Sequence, residues 1–193
     1  MINGTTISLR PVAEDDLDEL HRGLIDIEAR GPWYPMSRTS LTKLRAEFEE
    51  AGFWSDDEGV FVMVDARDRI VGNVSWERLN GDVPDVELGY RVFDRAGWGG
   101  GIATEALDLL AGWLFDSQSM NRLRLTIHVD NLASQRVAEK CGFTMEGTSR
   151  EAWYHKGQWH DIAVYSLTRA DADARRNNPG PSTRQPVAVP PKT

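Results

Sequence analysis

Between an extended segment, Asp85–Val92, and a helix expected to run to about Ser117, four glycines occupy five positions: Gly97, Gly99, Gly100 and Gly101. Residues without a Cβ let the chain take positive φ and come close to a ligand. The helix that follows begins with backbone N–H groups that lack internal partners, at the positive end of its macrodipole. A strand, a glycine turn and a helix start together make an anion site, most often for phosphate. The same arrangement also occurs without a ligand. A second run, Asp130–Phe143, holds a short helix on which Asn131, Ser134, Ala138 and Cys141 share one face. Asn131 suits the N-cap, and capping alone would account for it. Ser134 equally fits an ordinary surface position.

Other chemistry is poorly supplied. His21, His128, His155 and His160 show no metal-ligand spacing with cysteine or carboxylate, so no metal site is expected. Cys141, the single cysteine, follows the last turn of its helix instead of preceding the first, where a thiolate would be favoured, and is expected to be packed. Trp33, Tyr34, Trp153 and Trp159 are more aromatic than a small core requires.

Hydropathy patterning supplies the elements that must position these residues. Thr5–Arg10 alternates as a first strand, ended by Pro11. Ala13–Ala29 reads as a helix with Leu17, Leu20, Leu24 and Ile25 on one face, and Gly31–Pro35 breaks it. Ser40–Ala51 is a second helix stopped by Gly52. Gly59–Ala66, Arg69–Leu79 and Asp85–Val92 are strands two to four, the last reached through a turn at Asn80-Gly81-Asp82. After the glycine-led helix, with Ile102, Ala106, Leu110, Trp113 and Leu114 on one face, Arg122–Val129 alternates as the fifth strand. Phe143–Tyr154 and Trp159–Thr168 form a closing hairpin around Lys156-Gly157. Residues 1–169 are thus expected to be one domain. Residues 170–193 hold five of the nine prolines and no periodicity, and are expected to be a disordered tail.

A net charge of −8 argues against sequence-independent nucleic-acid binding and permits a cationic or amine-bearing substrate. No apolar run reaches membrane-spanning length, no secretory leader is evident, and a lone cysteine fits a reducing cytoplasm.

Taken together, Trp98-Gly-Gly-Gly-Ile-Ala-Thr-Glu-Ala106, Asn131-x-x-Ser134, Glu139-Lys-Cys-Gly-Phe143, Glu146-Gly147 and Gly157-x-x-x-Asp161 resemble, in order and spacing, the GNAT superfamily of N-acyltransferases. Within it they are most similar to the RimJ/RimL-like protein N-terminal acetyltransferases. The resemblance covers about Thr6 to Thr168. It implies an α/β (α+β) fold with a mixed, mostly antiparallel central sheet that splays between its fourth and fifth strands, flanked by helices. It implies acetyl-CoA, another acyl-CoA or a phosphopantetheine thioester as acyl donor, with no metal. Gly97, Trp98, Gly99, Gly100, Gly101, Ile102 and Ala103 would wrap the pyrophosphate, Val92 would hold the pantetheine and the acyl carbonyl, and Asn131 the other side of the pantetheine arm. Glu87 stands where family members often carry a base, acting directly or through a water. Ser134 matches a serine proposed to protonate the leaving thiolate.

Two departures from the family's pattern shape the remaining expectations. The phosphate loop carries Ala96 where many members have Gln or Arg, and Gly100 where they have Lys or Arg, so backbone donors must dominate, with Arg95 nearby. Trp153 replaces the glutamate of relatives that act on ribosomal proteins. The base role therefore shifts to Glu87. Trp33, Tyr34, Trp153 and Tyr154 become the expected acceptor contacts. The acceptor expected is a small-molecule amine. Transfer from an acyl carrier protein, acetylation of a protein N-terminus and a non-catalytic CoA-binding module are the alternatives. Neither a nucleic-acid nor a membrane partner is expected, and the chain would act as a monomer or homodimer.

Overall fold

The computed structural model describes residues 1–26, 31–33, 40–79, 85–93 and 97–177. In chain order these form β1 (Ile2–Asn3), β2 (Ile7–Pro11), α1 (Leu17–Ile25), α2 (Leu41–Ala51), β3 (Glu58–Asp65), β4 (Ile70–Arg78) and β5 (Val86–Val92). There follow α3 (Ile102–Ser117), β6 (Arg122–His128), α4 (Leu132–Lys140), β7 (Thr144–His155), β8 (Gln158–Thr168) and α5 (Arg169–Asn177). Local chemistry accounts for the boundaries. The Ser40 hydroxyl accepts from Lys43 N at 3.1 Å to start α2, and Gly52, at φ 62°, ends it. Ahead of α1, Asp16 accepts both from Arg10 Nη2 at 2.9 Å and from Ala13 N at 2.7 Å.

The strands form one sheet in the order β1-β2-β3-β4-β5-β6-β8-β7. Every pair is antiparallel except β5 and β6, which run parallel and meet only at Val86–Leu123 and Glu87–Arg124. Beyond Glu87 the two strands part. This is the splay expected between the fourth and fifth strands, each numbered one higher because Ile2–Asn3 adds a short first strand. The hydrogen bonds Leu79 N to Asp85 O and Phe93 N to Val71 O fix the phase of β5 against β4. Odd-numbered residues bond to β4, so the backbone N–H and C=O of Leu88, Tyr90 and Val92 turn toward the opened side.

Each face of the sheet has its own core. Ile7, Leu9, Met63, Val74, Trp76 and Leu88 join β6 and β8 side chains under α3 and α4. Val12, Leu17, Leu20, Leu44, Val62, Val64 and Ile70 pack under α1 and α2.

The chain is ordered beyond its expected end. Residues 169–177 form α5, which corrects the expected start of the tail at Ala170; residues 178–193 lie outside the described residues. No residue of α5 is buried, so no apolar stripe announces it. Arginines hold it instead. Arg169 donates to the carbonyls of Phe115 (2.7 Å), Gln118 (3.0 Å) and Met120 (2.7 Å) at the end of α3, and Arg175 donates to Cys141 O and Lys140 O at the end of α4.

Candidate active site

Strand β6 alternates between core and cleft. Leu123, Leu125 and Ile127 enter the core, while Arg122, Arg124, Thr126 and His128 form a row on the other face. Glu87 of β5 joins that row: Thr126 Oγ1 donates to Glu87 Oε1, and Arg124 Nε lies 3.8 Å from Glu87 Oε2. Beside them opens a cavity of about 300 Å³ lined by Trp33, Arg124, Thr126, His128, Ser149, Ala152, Trp153 and Ile162. A larger, more open depression of about 580 Å³ lies at the far end of α3, lined by residues 115–121 and Arg169. It holds none of the expected site residues.

Aromatic rings close one end of the smaller cavity. Trp33 stacks on His128 at 4.0 Å, and Trp153 stacks on His155 at 4.5 Å and meets His128 edge-on at 5.7 Å. His155 Nε2 bonds Pro32 O at 2.9 Å, which ties the Trp33 segment to β7. His128 Nδ1 accepts from Asp130 N at 3.0 Å, so the neutral ring carries its proton on Nε2, a buried atom without a hydrogen-bond partner. Burial first, then neighbouring His160, holds the His128 pKa below the ordinary histidine value. Among the described residues no three His, Cys, Asp or Glu side chains group to hold a metal ion.

A bulge precedes Trp153. Between the pairs Ser149–Ile162 and Trp153–His160, three residues of β7 face one of β8. Glu151 sits in this bulge at φ 49°, its N–H bonded to Asp161 Oδ1 at 2.8 Å. Simple alternation therefore does not fix the direction of Glu151. It does hold for the next pair: Tyr154 lies on the face opposite Trp153, is 59% exposed and rests on Trp159 at 5.2 Å. The expected grouping of Tyr154 with Trp153 is corrected accordingly. Tyr34, like Arg95, lies outside the described residues.

The opposite wall is made of backbone and α4. Asn131 Oδ1 accepts from Ser134 N at 3.2 Å, the N-cap bond. The Ser134 hydroxyl shares a short hydrogen bond with Tyr90, whose phenol also reaches Ser134 O at 3.2 Å. Burial pushes the Tyr90 pKa up to about 12, so the phenol keeps its proton. Cys141 is packed, donates to Thr104 O at 3.3 Å and is likewise raised by burial to about 12. In the glycine turn, Gly99 and Gly101 have φ of 79° and 86°, and a Cβ on either would meet nothing within 4 Å. That open space, beside the unpaired first N–H groups of α3 at Ile102 and Ala103, fits an anionic group. Gly97 packs inward against Ile102 and Val92, and Trp98, 46% exposed, lies against Gly31.

The fold thus brings Trp33 and Trp153 to one cavity, with Glu87 held beside it by the lining residue Thr126, and Ser134 and Asn131 to the other wall. Three residues that belong to these groupings, Arg124, Thr126 and Tyr90, were not singled out from the sequence, and His128 was weighed there only as a metal ligand. The signal was present in Arg122–Val129, where a strand central enough to be buried alternates with bases and a threonine instead of solvent-facing acids.

Comparison with known proteins agrees with this geometry. The family model described as an acetyltransferase (GNAT) domain matches residues 6–144. A probable N-acetyltransferase of Bacillus subtilis (strain 168), YjcK, is 29% identical over 187 residues, covering 89% of this chain and 98% of that protein. The spermidine N-acetyltransferase of Vibrio cholerae, solved with CoA and spermine, superposes with a TM-score of 0.77 at 20% identity, over 88% of this chain and 99% of that one. Mycobacterium smegmatis RimJ, solved with a CoA disulfide, gives a TM-score of 0.72 at 25% identity, over 89% and 88%. A splayed mixed sheet, a glycine turn opening α3 and a match spanning most of the fold lead to one conclusion: the chain belongs to the GNAT acetyltransferases and is an N-acetyltransferase.

Proposed function

We propose that the cavity beside Glu87 receives the amine and that the amine belongs to a small molecule bearing a flat ring. The observation that carries this reading is the pair of indoles, Trp33 and Trp153, in a cavity whose lining residues Thr126 and Arg124 adjoin the Glu87 carboxylate. Such walls suit a planar ring or an apolar chain. The donor is acetyl-CoA, in keeping with the CoA bound by the Vibrio cholerae relative. Its pyrophosphate would lie on the N–H groups from Gly97 to Ala103, and its pantetheine arm between Val92 and Asn131.

In this reading Glu87, oriented by Thr126, takes the ammonium proton, directly or through one water, and the neutral amine attacks the thioester carbonyl. The Val92 N–H, turned to the opened side of β5, stabilises the oxyanion. Ser134, held by Tyr90, supplies the proton with which the thiolate leaves. The likeness to RimJ favours a second acceptor, a protein N-terminus. A competition assay separates the two by offering alanyl and seryl N-terminal peptides against a panel of ring-bearing amines. The amines are expected to be acetylated, and Trp153→Ala to raise their KM more than it changes kcat. Efficient acetylation of the peptides with the panel untouched would overturn the reading.

A further inference from the structure

Two arginines stand two residues apart on the same face of β6, and they are treated differently. Arg122 is saturated: it grips both carboxylate oxygens of Glu146, one at 2.7 Å, and pairs with Asp85 at 3.0 Å. Arg124 lines the cavity, its Nε buried without a hydrogen-bond partner, and its approach to Glu87 at 3.8 Å is longer than a hydrogen bond. Glu146 also feels the Arg124 charge, yet its oxygens are committed to Arg122. A guanidinium offers five donors in a planar fork that matches a carboxylate.

Granting that this cavity is the acceptor site, we infer that the acceptor is zwitterionic: a free α-amino acid with an aromatic side chain. Adjacent Glu87 and Arg124 give an ammonium and a carboxylate on one carbon their separate partners. From Thr126, which holds Glu87, to His128, where the indoles gather, is about 7 Å along the strand. That is roughly the reach of an aromatic amino acid from its amine to the far edge of its ring. A polyamine must bring a second cation to Arg124 and is repelled there. A peptide N-terminus presents a neutral amide where the carboxylate is wanted, which leaves the guanidinium desolvated and unpaired.

The test compares phenylalanine, tyrosine, tryptophan and histidine with their amides and with the matching decarboxylated amines, using acetyl-CoA as donor. At least one amino acid should exceed its own decarboxylated amine in kcat/KM by about 10- to 100-fold, mostly through KM. Arg124→Gln should collapse that ratio toward one, and Arg124→Lys, which keeps the charge but loses the fork, should restore part of it. Because the readout is a ratio within one variant, a general loss of folded enzyme does not imitate it. Acetylation of the decarboxylated amines as well as or better than the acids defeats this inference while leaving the ring-bearing acceptor standing. A ratio unmoved in Arg124→Gln also defeats it. Acetylation confined to peptide N-termini or polyamines defeats both.

Discussion

The two walls of the cleft are made of different material. On the α3 side the proposed chemistry falls to main chain: glycines at positive φ, the first N–H groups of a helix and the unbonded edge of β5. On the β6 side it would be carried by side chains, in a cavity lined from β6, β7, β8 and the Trp33 segment, with Glu87 of β5 beside it. A backbone wall recognises what every donor shares, a phosphate and a thioester. A side-chain wall can change its ligand by single substitutions without disturbing the fold. A chain built this way can keep the donor chemistry of its family while its acceptor diverges.

The sharpest way to break this contrast is at the glycines. Gly99→Val or Gly101→Val puts a β-branched side chain at positive φ, at a cost of about 1–3 kcal/mol, and fills the open space at the turn. Either is expected to abolish the thermal shift that CoA produces. An unchanged shift in both would mean that the backbone wall does not hold the donor. Next in size, Glu87→Gln should lower turnover by about 100-fold or more and remove the acidic limb of the pH–rate profile, with CoA affinity kept. A smaller effect is expected at the junction of the walls. Ser134→Ala and Tyr90→Phe should each slow turnover by about tenfold when chemistry limits the rate, and the double variant should be no slower than either alone. Additive losses would show that Tyr90 does not act through Ser134.

The smallest effect is on stability. The folded state holds the His128 pKa below its ordinary value of 6.5, so the unfolded chain takes up this proton first. The His128 contribution to stability is present above that ordinary value and is lost as pH falls through the lower, folded pKa. Thermal melts from about pH 7.5 to about pH 5 should show Tm declining by a few degrees, and His128→Gln should flatten the decline. An identical slope in the variant would place the pH dependence elsewhere.

The same contrast explains what was legible in the sequence. A glycine turn, a glycine stop and a two-residue hairpin are local instructions, and Gly101, Gly52 and Lys156-Gly157 each stand where their spacing placed them, the last pair at φ 49° and 83°. The acceptor wall depends on register and on distant contacts. The bulge at Glu151 is invisible to a period-two count, and it sets which residue of β8 Trp153 faces. The saturation of Arg122 and the exposure of Arg124 to the cavity depend on Glu146, which lies on another strand. Helix α5 escaped notice for a related reason: its anchors are guanidinium-to-carbonyl bonds to chain more than thirty residues away, which leave no hydropathy pattern.

The strand order also bears on how the protein is made. β8 is the last strand of the sheet to leave the ribosome, yet it lies between β6 and β7. Until Thr168 has emerged, β6 has an open edge and β7 has no neighbour at all. Synthesis adds roughly 5–20 residues each second, so the glycine turn and its backbone wall can order while the cavity along β6 does not yet exist. A nascent chain stalled before β8 would thus display an unpaired sheet edge, the part of the molecule most in need of a chaperone.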